Sequence, residues 1–263
     1  WNLSNFEQKK LQKVYYHIRK LEKYGFVYSA SSERRHGMIA KIYNVVAPVV
    51  AAKIFEKGHE IEEDTRVVRP ETIEFFSPFV EDGRLNAKII IGSPYPHGNY
   101  EATARDAPYL VDLLLFLGSI SKVLDYPAYK LDTEVTEKDL KDNLILLGGP
   151  KINSVTEKFN SHSPVYFENK GEWRIVSKLT KKAYNYDADA VITKMNNPYN
   201  EDKKILIIAG VRSQGMKTAV FALLNHIGEI IKGNVKDKNI IAKVITGIDR
   251  SSDGVVDSIK FLE

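Results

Sequence analysis

Three side chains of one proline-containing loop have the types that nucleophilic hydrolysis requires. Ser93, His97 and Asp106 offer a hydroxyl, an imidazole and a carboxylate, which in a hydrolase act as nucleophile, base and orienting acid. Ser93 does not stand in the Gly-x-Ser-x-Gly turn that exposes a nucleophile at the end of a strand. We therefore favour a ligand-sensing loop, in which Tyr95, His97 and Arg105 line a pocket, and assign no catalytic residue.

The turn "GVRSQGMKT", residues 210–218, resembles the P-loop that binds phosphate groups. Met216 stands between its second glycine, Gly215, and Lys217, and this insertion turns the lysine by about 100° on a following helix. We favour a strand-to-helix turn whose free amides bind an anion, with a nucleotide-binding protein as the alternative. The ligand-binding candidates of this turn and of the Gly-Gly-Pro turn at residues 148–150 are Gly149, Arg212, Gly215, Lys217 and Thr218.

The basic residues of the chain are concentrated at its beginning. The first 44 residues carry nine Lys or Arg against three Glu, a net charge of +6, although the whole chain carries only +4. Such asymmetry points to a polyanionic partner, most simply nucleic acid, and the alternative is a solvated helix face.

These cations are predicted to lie on a helix and on a hairpin. Leu11, Val14, Ile18 and Leu21 recur at three- and four-residue steps, which predicts an amphipathic helix that ends before Gly25. The other faces of this helix carry cations, an amide and an aromatic hydroxyl, the groups that contact phosphates and base edges in DNA. Residues 26–43 have strand-like ends and a polar middle, which predicts a β-hairpin with a basic tip.

The stretch from Lys13 to Pro48, "KVYYHIRKLEKYGFVYSASSERRHGMIAKIYNVVAP", resembles the second half of winged-helix regulators of the arsenic-repressor type, especially archaeal ones. The resemblance implies a recognition helix in the major groove, a wing on the phosphate backbone, double-stranded DNA as partner and a homodimer. It implies DNA contacts by Lys9, Lys10, Lys13, Tyr16, His17, Arg19 and Lys20, and phosphate contacts by Arg34, Arg35 and His36.

One departure from that family concerns the start of the chain. The family has two or three helices before the recognition helix, whereas here almost nothing precedes it and no initiator methionine is present. We expect either a trimmed fragment, or an apolar stripe that packs on the linker or on a partner chain. Residues 48–55, "PVVAAKIF", fit a dimerisation helix or an ordinary interdomain helix.

From residue 70 onward, strand-like and helix-like runs alternate. Aliphatic runs at 87–93, 143–149 and 204–210 each precede a helix candidate, at 107–117, 150–159 and 216–231. Continuous aliphatic runs are typical of a parallel sheet covered on both faces. Further strands are predicted at 164–168, 190–193 and 240–246, with an edge strand at 258–262. We predict an α/β fold: a winged-helix segment (1–47), a helical linker (48–69) and a mostly parallel α/β sandwich (70–263) that senses a ligand or assembles subunits.

A second resemblance covers residues 143–217. The motifs "NLILLGGPKINSVTEKF" and "ILIIAGVRSQGMKTAVFAL" look similar to the C-terminal module of archaeal surface-layer-like proteins. This resemblance implies an archaeal lineage, and three Gln and no Cys are compatible with a thermophile. A pure assembly module remains a third interpretation of this part.

Composition excludes several kinds of functional site. The absence of cysteine excludes disulfides, thiolate chemistry and cysteine zinc sites. With no long apolar run and no signal segment, we expect a cytoplasmic protein away from membranes. We predict a DNA-binding transcription regulator with no metal and no cofactor, which responds to a small anionic effector.

Overall fold

The computed structural model describes residues 5–35, 38–45, 70–121, 123, 125–251 and 253–263. The chain forms two compact units, Trp1–Thr65 and Arg66–Glu263.

The described part of the first unit is a helix followed directly by a hairpin. Helix α1 spans Asn5–Lys23, and strands β1 (Val27–Arg35) and β2 (Met38–Val45) pair in antiparallel fashion. The helix ends as expected at Gly25, which has a φ of 78°. The N–H of Phe26 donates to the carbonyl of Leu21 at 2.9 Å, and that of Gly25 donates to Glu22 at 3.1 Å. These two bonds form a Schellman motif, which sets the direction in which β1 leaves the helix.

The apolar stripe of α1 is largely open within this unit. Val14 is 54% exposed and Leu21 is 42% exposed, while Ile18 is half-buried. The described hairpin residues therefore do not cover the side of the helix that the periodicity assigns to a core.

The second unit is built around a seven-stranded sheet with the strand order β14-β13-β11-β12-β7-β5-β6. A two-stranded hairpin, β3-β4, and a three-stranded sheet, β10-β9-β8, accompany it. Its strands are β3 (Val80–Glu81), β4 (Arg84–Leu85), β5 (Lys88–Ile91), β6 (Tyr129–Leu131), β7 (Leu144–Leu147), β8 (Val165–Asn169), β9 (Trp173–Ser177), β10 (Ala183–Tyr184), β11 (Asp189–Asn197), β12 (Asn200–Gly210), β13 (Ile241–Ile248) and β14 (Ser258–Phe261). Its helices are α2 (Pro70–Phe76), α3 (Val111–Ile120), α4 (Ser154–Asn160), α5 (Ser213–Asn225) and α6 (Ile227–Ile230), with short 3-10 turns at Ala107–Leu110, Asp132–Glu134 and Asp139–Lys141.

The seven-stranded sheet is mixed. The four strands β12, β7, β5 and β6 are parallel to one another, whereas β12-β11, β11-β13 and β13-β14 pair in antiparallel fashion. The predicted α/β class is confirmed. The predicted parallel arrangement is found in one half of the seven-stranded sheet, and the other half is antiparallel. The antiparallel half exists because β11 and β12 form a long hairpin through residues 197–200, where a helical crossover is not needed.

Both faces of this sheet are covered, as the continuous aliphatic runs predict. Ile145 and Leu147 pack in a core with α2, α3, α5 and α6, while Leu144 and Leu146 pack on the opposite face with α4 and the small sheet. Because successive side chains of a strand point to opposite faces, a strand buried on both sides has to be apolar throughout.

Two helix boundaries differ from the sequence prediction for local reasons. Helix α4 begins at Ser154, not at residue 150, because the side chain of Asn153 accepts hydrogen bonds from the N–H groups of Val155 and Thr156 and acts as N-cap. Residues 149–152 form a turn, in which the N–H of Ile152 donates to the carbonyl of Gly149 at 3.1 Å. The predicted helix at 216–231 begins earlier, at Ser213, and breaks at His226 into α5 and α6.

Candidate functional site

An open cleft of about 540 Å³ lies where the segments after β5, β7 and β12 meet. The carboxyl ends of parallel strands lie on one edge of the sheet, which is where open α/β sheets bind ligands. The cleft is lined by Tyr100, Glu101, Ala102, Thr103, Asp106, Gly149, Pro150, Lys151, Ile152, Phe167, Trp173, Gly210, Val211, Arg212 and Ser213.

Two glycines at strand ends form the floor of this cleft for different reasons. A Cβ on Gly210 would lie 2.3 Å from the backbone nitrogen of Met216, so the close approach of β12 to α5 requires glycine there. A Cβ on Gly149 would meet the Gly210 carbonyl oxygen at 3.6 Å and the Phe167 ring at 3.7 Å, which are ordinary contacts. Packing therefore explains Gly210, whereas at Gly149 it leaves room for a Cβ.

One side of the cleft is aromatic. Phe167 from β8 is buried, and the ring of Trp173 from β9 contacts that of Tyr100 edge-on with centroids 5.0 Å apart. Burial raises the pKa of Tyr100, and the neighbouring Glu157 carboxylate adds to this increase. Asn99 donates to the same carboxylate at 3.0 Å, so the loop of Tyr100 is tied to α4.

The charged groups of the cleft have both signs. Arg212 donates through Nε to Oδ1 of Asp187 at 2.8 Å. Lys151, Glu101 and Asp106 have no ion pair or side-chain hydrogen bond to any described residue. Burial raises the pKa of the Asp106 carboxyl, because burial disfavours the charged form of an unpaired acid.

His97 is held by a buried carboxylate that the sequence did not indicate. Its Nε2 lies 2.7 Å from Oδ2 of Asp132, and its Nδ1 lies 2.7 Å from the carbonyl oxygen of Tyr95. Asp132 also accepts from the N–H of Ser93 at 2.8 Å and from that of Ser154 at 2.6 Å. Asp132 therefore joins the loop after β5 to the start of α4, next to the cleft.

The hydrolase-type trio is not joined by hydrogen bonds among the described residues. Ser93 is buried and its Oγ accepts from the N–H of Tyr95 at 3.3 Å. His97 pairs with Asp132, while Asp106 lines the cleft. Two other loop candidates, Tyr95 and Arg105, are exposed, and neither lines the cleft.

The candidates of the P-loop-like turn divide between the cleft and its surroundings. Arg212 and Gly149 line the cleft. The N–H of Gly215 donates to the carbonyl of Asp187 at 3.0 Å. The Nζ of Lys217 donates to the carbonyl of Gly254 at 3.3 Å, and Thr218 is buried with its hydroxyl bonded to the carbonyl of Gln214.

Sequence reasoning missed Asp132, Lys151, Phe167 and Trp173. Asp132 follows β6, a strand of three residues with a lysine at its centre, which is too short to show a periodicity. Phe167 is placed by a separate small sheet. Lys151 directly follows the Gly-Gly-Pro turn at residues 148–150, and this turn is the sequence signal that points to it.

The described DNA-facing candidates of the first unit are exposed on α1. Lys13, Tyr16, His17, Arg19 and Lys20 are all open to solvent, and the Lys20 Nζ lies 4.9 Å from the centroid of the Tyr16 ring. The backbones of Lys9 and Lys10 lie in α1 and those of Arg34 and Arg35 lie in β1, while their side chains and all of His36 fall outside the described residues.

Two further properties concern the part of the chain that the structure describes. It holds no group of three or more His, Cys, Asp or Glu residues that could bind a metal ion. None of its helices combines the length and the apolar character that crossing a membrane requires.

Comparison with known proteins finds a family similarity in the central part of the second unit. Residues 109–227 match the model of a family described as the outer domain of the S-layer like family. No curated protein matches the chain. The matched segment runs from the 3-10 turn before α3 to the first residue of α6, includes the two resemblance motifs, and supports the similarity of this part to a surface-layer-like module.

Proposed function

We propose that the protein is a DNA-binding transcription regulator, in which α1 reads the major groove, the β1-β2 hairpin acts as a wing, and the α/β unit regulates binding. The observation that carries the proposal is the row of exposed cationic and aromatic side chains on α1, followed directly by a hairpin. A helix of 19 residues is about 28 Å long, and a major groove accepts a helix of this kind.

Charge supports the same proposal. The net charge of +6 in the first 44 residues attracts phosphates irrespective of sequence. Lys13, Arg19 and Lys20 are exposed, and among the described residues of the first unit none of their side chains has a carboxylate partner. These cations are free to bind an external polyanion. A homodimer completes the proposal, because paired recognition helices match a palindromic site.

The test measures the affinity of the full chain for a labelled random-sequence duplex by fluorescence anisotropy at several salt concentrations. Affinity should fall steeply with salt, because each neutralised phosphate contributes about −0.9 to the slope of log K against log salt. Replacing both Arg34 and Arg35 by alanine should weaken binding to all duplexes alike and reduce the slope by about 2.

The matched control replaces Lys236 and Lys238, two exposed lysines of the α/β unit, by alanine. It removes the same charge and should leave affinity unchanged. Absence of binding at low salt, or equal losses in both double variants, would refute the role of α1 and the hairpin.

A further inference from the structure

We propose that the cleft at the ends of β7 and β12 binds a small zwitterion, an α-amino acid with an apolar side chain. The proposal names the ligand class of the regulatory unit suggested above and rests on that role, but the binding itself does not require DNA. Three properties of the cleft lead to it: an unfilled floor, unpaired charges of both signs, and an aromatic side.

The floor of the cleft contains space at Gly149 that a Cβ could fill without disturbing the packing. Gly149 precedes a proline, does not have a positive φ, and has room for a Cβ against Phe167. Alanine satisfies these backbone conditions equally well. Glycine at position 149 keeps the floor open toward Gly210, where close backbone packing allows no Cβ.

The unpaired charges call for a ligand that brings both signs. Asp106 and Glu101 lie on the segment after β5, whereas Lys151 lies on the turn after β7, and none of the three has a charged partner among the described residues. Helix α5 begins beside Arg212 without a capping side chain. The N–H of Gly215 donates to the carbonyl of Asp187, which leaves the N–H groups of Ser213 and Gln214 to receive a carboxylate. An ammonium group can pair with the two acids while a carboxylate pairs with Lys151 and the helix start.

The aromatic side selects an apolar substituent. Phe167, Trp173 and Tyr100 present ring surface to the same cleft, and burial of apolar surface against these rings is favourable. The volume of about 540 Å³ lies within the usual range of small-molecule sites.

A phosphate dianion fits this distribution less well. It would lie in a cleft with Asp106 and Glu101, and the nearby Arg212 is already paired with Asp187. Like charges at short distance oppose binding. A dication is opposed in the same way by Lys151 and Arg212.

The experiment follows the fluorescence of Trp173 in the full chain. The protein has two tryptophans, and replacing Trp1 by phenylalanine leaves Trp173 as the single reporter in the cleft. The standard L-amino acids are titrated one by one, and the best of them is compared with its decarboxylated amine, its deaminated acid, inorganic phosphate and AMP. We expect an apolar amino acid to bind at least tenfold more tightly than each of these compounds.

Variants locate the site. Asp106→Asn and Lys151→Met should each weaken the amino acid at least tenfold, and Gly149→Leu should abolish binding by filling the floor. The matched controls, Glu201→Gln and Lys203→Met, lie at the opposite end of β12 and should bind as the parent protein does. Unchanged urea unfolding midpoints would show that the cleft variants are folded.

Three results would overturn the proposal: no fluorescence change with any amino acid, tighter binding of phosphate or AMP, or equal affinity in the cleft variants and their controls. Anisotropy with DNA is measured on the same preparations. Loss of amino-acid binding with intact DNA binding refutes only the ligand class, and the reverse result refutes only the proposed DNA-binding function.

Discussion

The imidazole of His97 lies between two oxygen acceptors, Oδ2 of Asp132 and the carbonyl of Tyr95, each at 2.7 Å. A carboxylate and a carbonyl only accept hydrogen bonds, so this geometry favours the protonated ring, in which both nitrogens donate. Burial alone would lower the pKa of His97, but the Tyr95 carbonyl and the Asp132 carboxylate outweigh it and raise that pKa above 6.5. In its protonated form, His97 thus holds the loop beside the cleft to Asp132.

This arrangement predicts a pH dependence of stability. Because the folded-state pKa of His97 is raised, its contribution is complete below the unfolded-state value of 6.5 and is lost as the pH rises through the folded-state pKa. His97→Gln should therefore show a flatter curve of unfolding free energy against pH in this window, measured by urea denaturation. His162→Gln, an exposed histidine, serves as the control. Parallel curves for the parent protein and His97→Gln would contradict the charged state.

The two floor glycines should respond oppositely to alanine. Gly210→Ala places a Cβ 2.3 Å from the backbone nitrogen of Met216 and should destabilise the unit by about 1–3 kcal/mol, because the β12-α5 connection has to move. Gly149→Ala makes only ordinary contacts and should be neutral or stabilising by up to about 1 kcal/mol. Urea unfolding measures both. Equal losses would show that Gly149 is also required by packing.

Protonation of the buried Lys194 side chain should lower the unfolding free energy of the second unit. Burial lowers its pKa to about 8, and the nearby Lys204 contributes to this decrease, while its Nζ donates to the carbonyls of Phe75 and Ser77 at 2.8 and 2.6 Å. Lys194 binds its proton more tightly in the unfolded chain than in the folded protein, so the unfolding free energy should rise between about pH 8 and the ordinary lysine pKa of 10.5.

Lys194→Met tests this dependence by chemical denaturation at pH 7.5 and 9.5, values chosen on either side of about pH 8. The gain in stability of the parent protein over this interval should be reduced in the variant. The difference between the two proteins is the measure, because Lys243 also has a pKa lowered by burial. An identical gain in both would exclude Lys194 as its source.

The side chain of Glu263 is a buried acceptor surrounded by neutral donors. Ser177 and Asn234 donate to Oε2 at 2.8 and 2.9 Å, Tyr184 donates to Oε1 at 2.7 Å, and Thr180 donates to the same oxygen. Burial, followed by the bond to Glu263, raises the pKa of Tyr184 to about 12.

Glu263→Gln should destabilise the unit by about 1–3 kcal/mol, since an amide NH₂ would face donors at Oε1 or Oε2 and leave them unpaired. Thermal and urea unfolding of this variant are compared with those of Glu201→Gln, which removes an exposed carboxylate. Equal stability of the two variants would mean that the network reorganises without loss.

The local sequence predicted the strands that are continuous runs of aliphatic residues. The runs at β5, β7 and β12 could be recognised as parallel strands because burial on both faces demands aliphatic residues at every position. Strands β6 and β10, of three and two residues, are too short to show a periodicity, and β9 has neither a continuous aliphatic run nor strict alternation. The antiparallel half of the sheet depends on pairing partners that propensity does not specify.

The sequence by itself determined the α/β class, the strand-to-helix turns at Gly149 and Gly210, and the basic helix with its hairpin, because these follow from periodicity and turn chemistry over a few residues. Only the tertiary structure decided that His97 pairs with Asp132 and that Asp106 and Lys151 line one cleft with Trp173. These residues are brought together by the order in which β12, β7, β5 and β6 lie side by side and by the small sheet packed beside them. That order is set by long-range packing, which the spacing of residues along the chain does not contain.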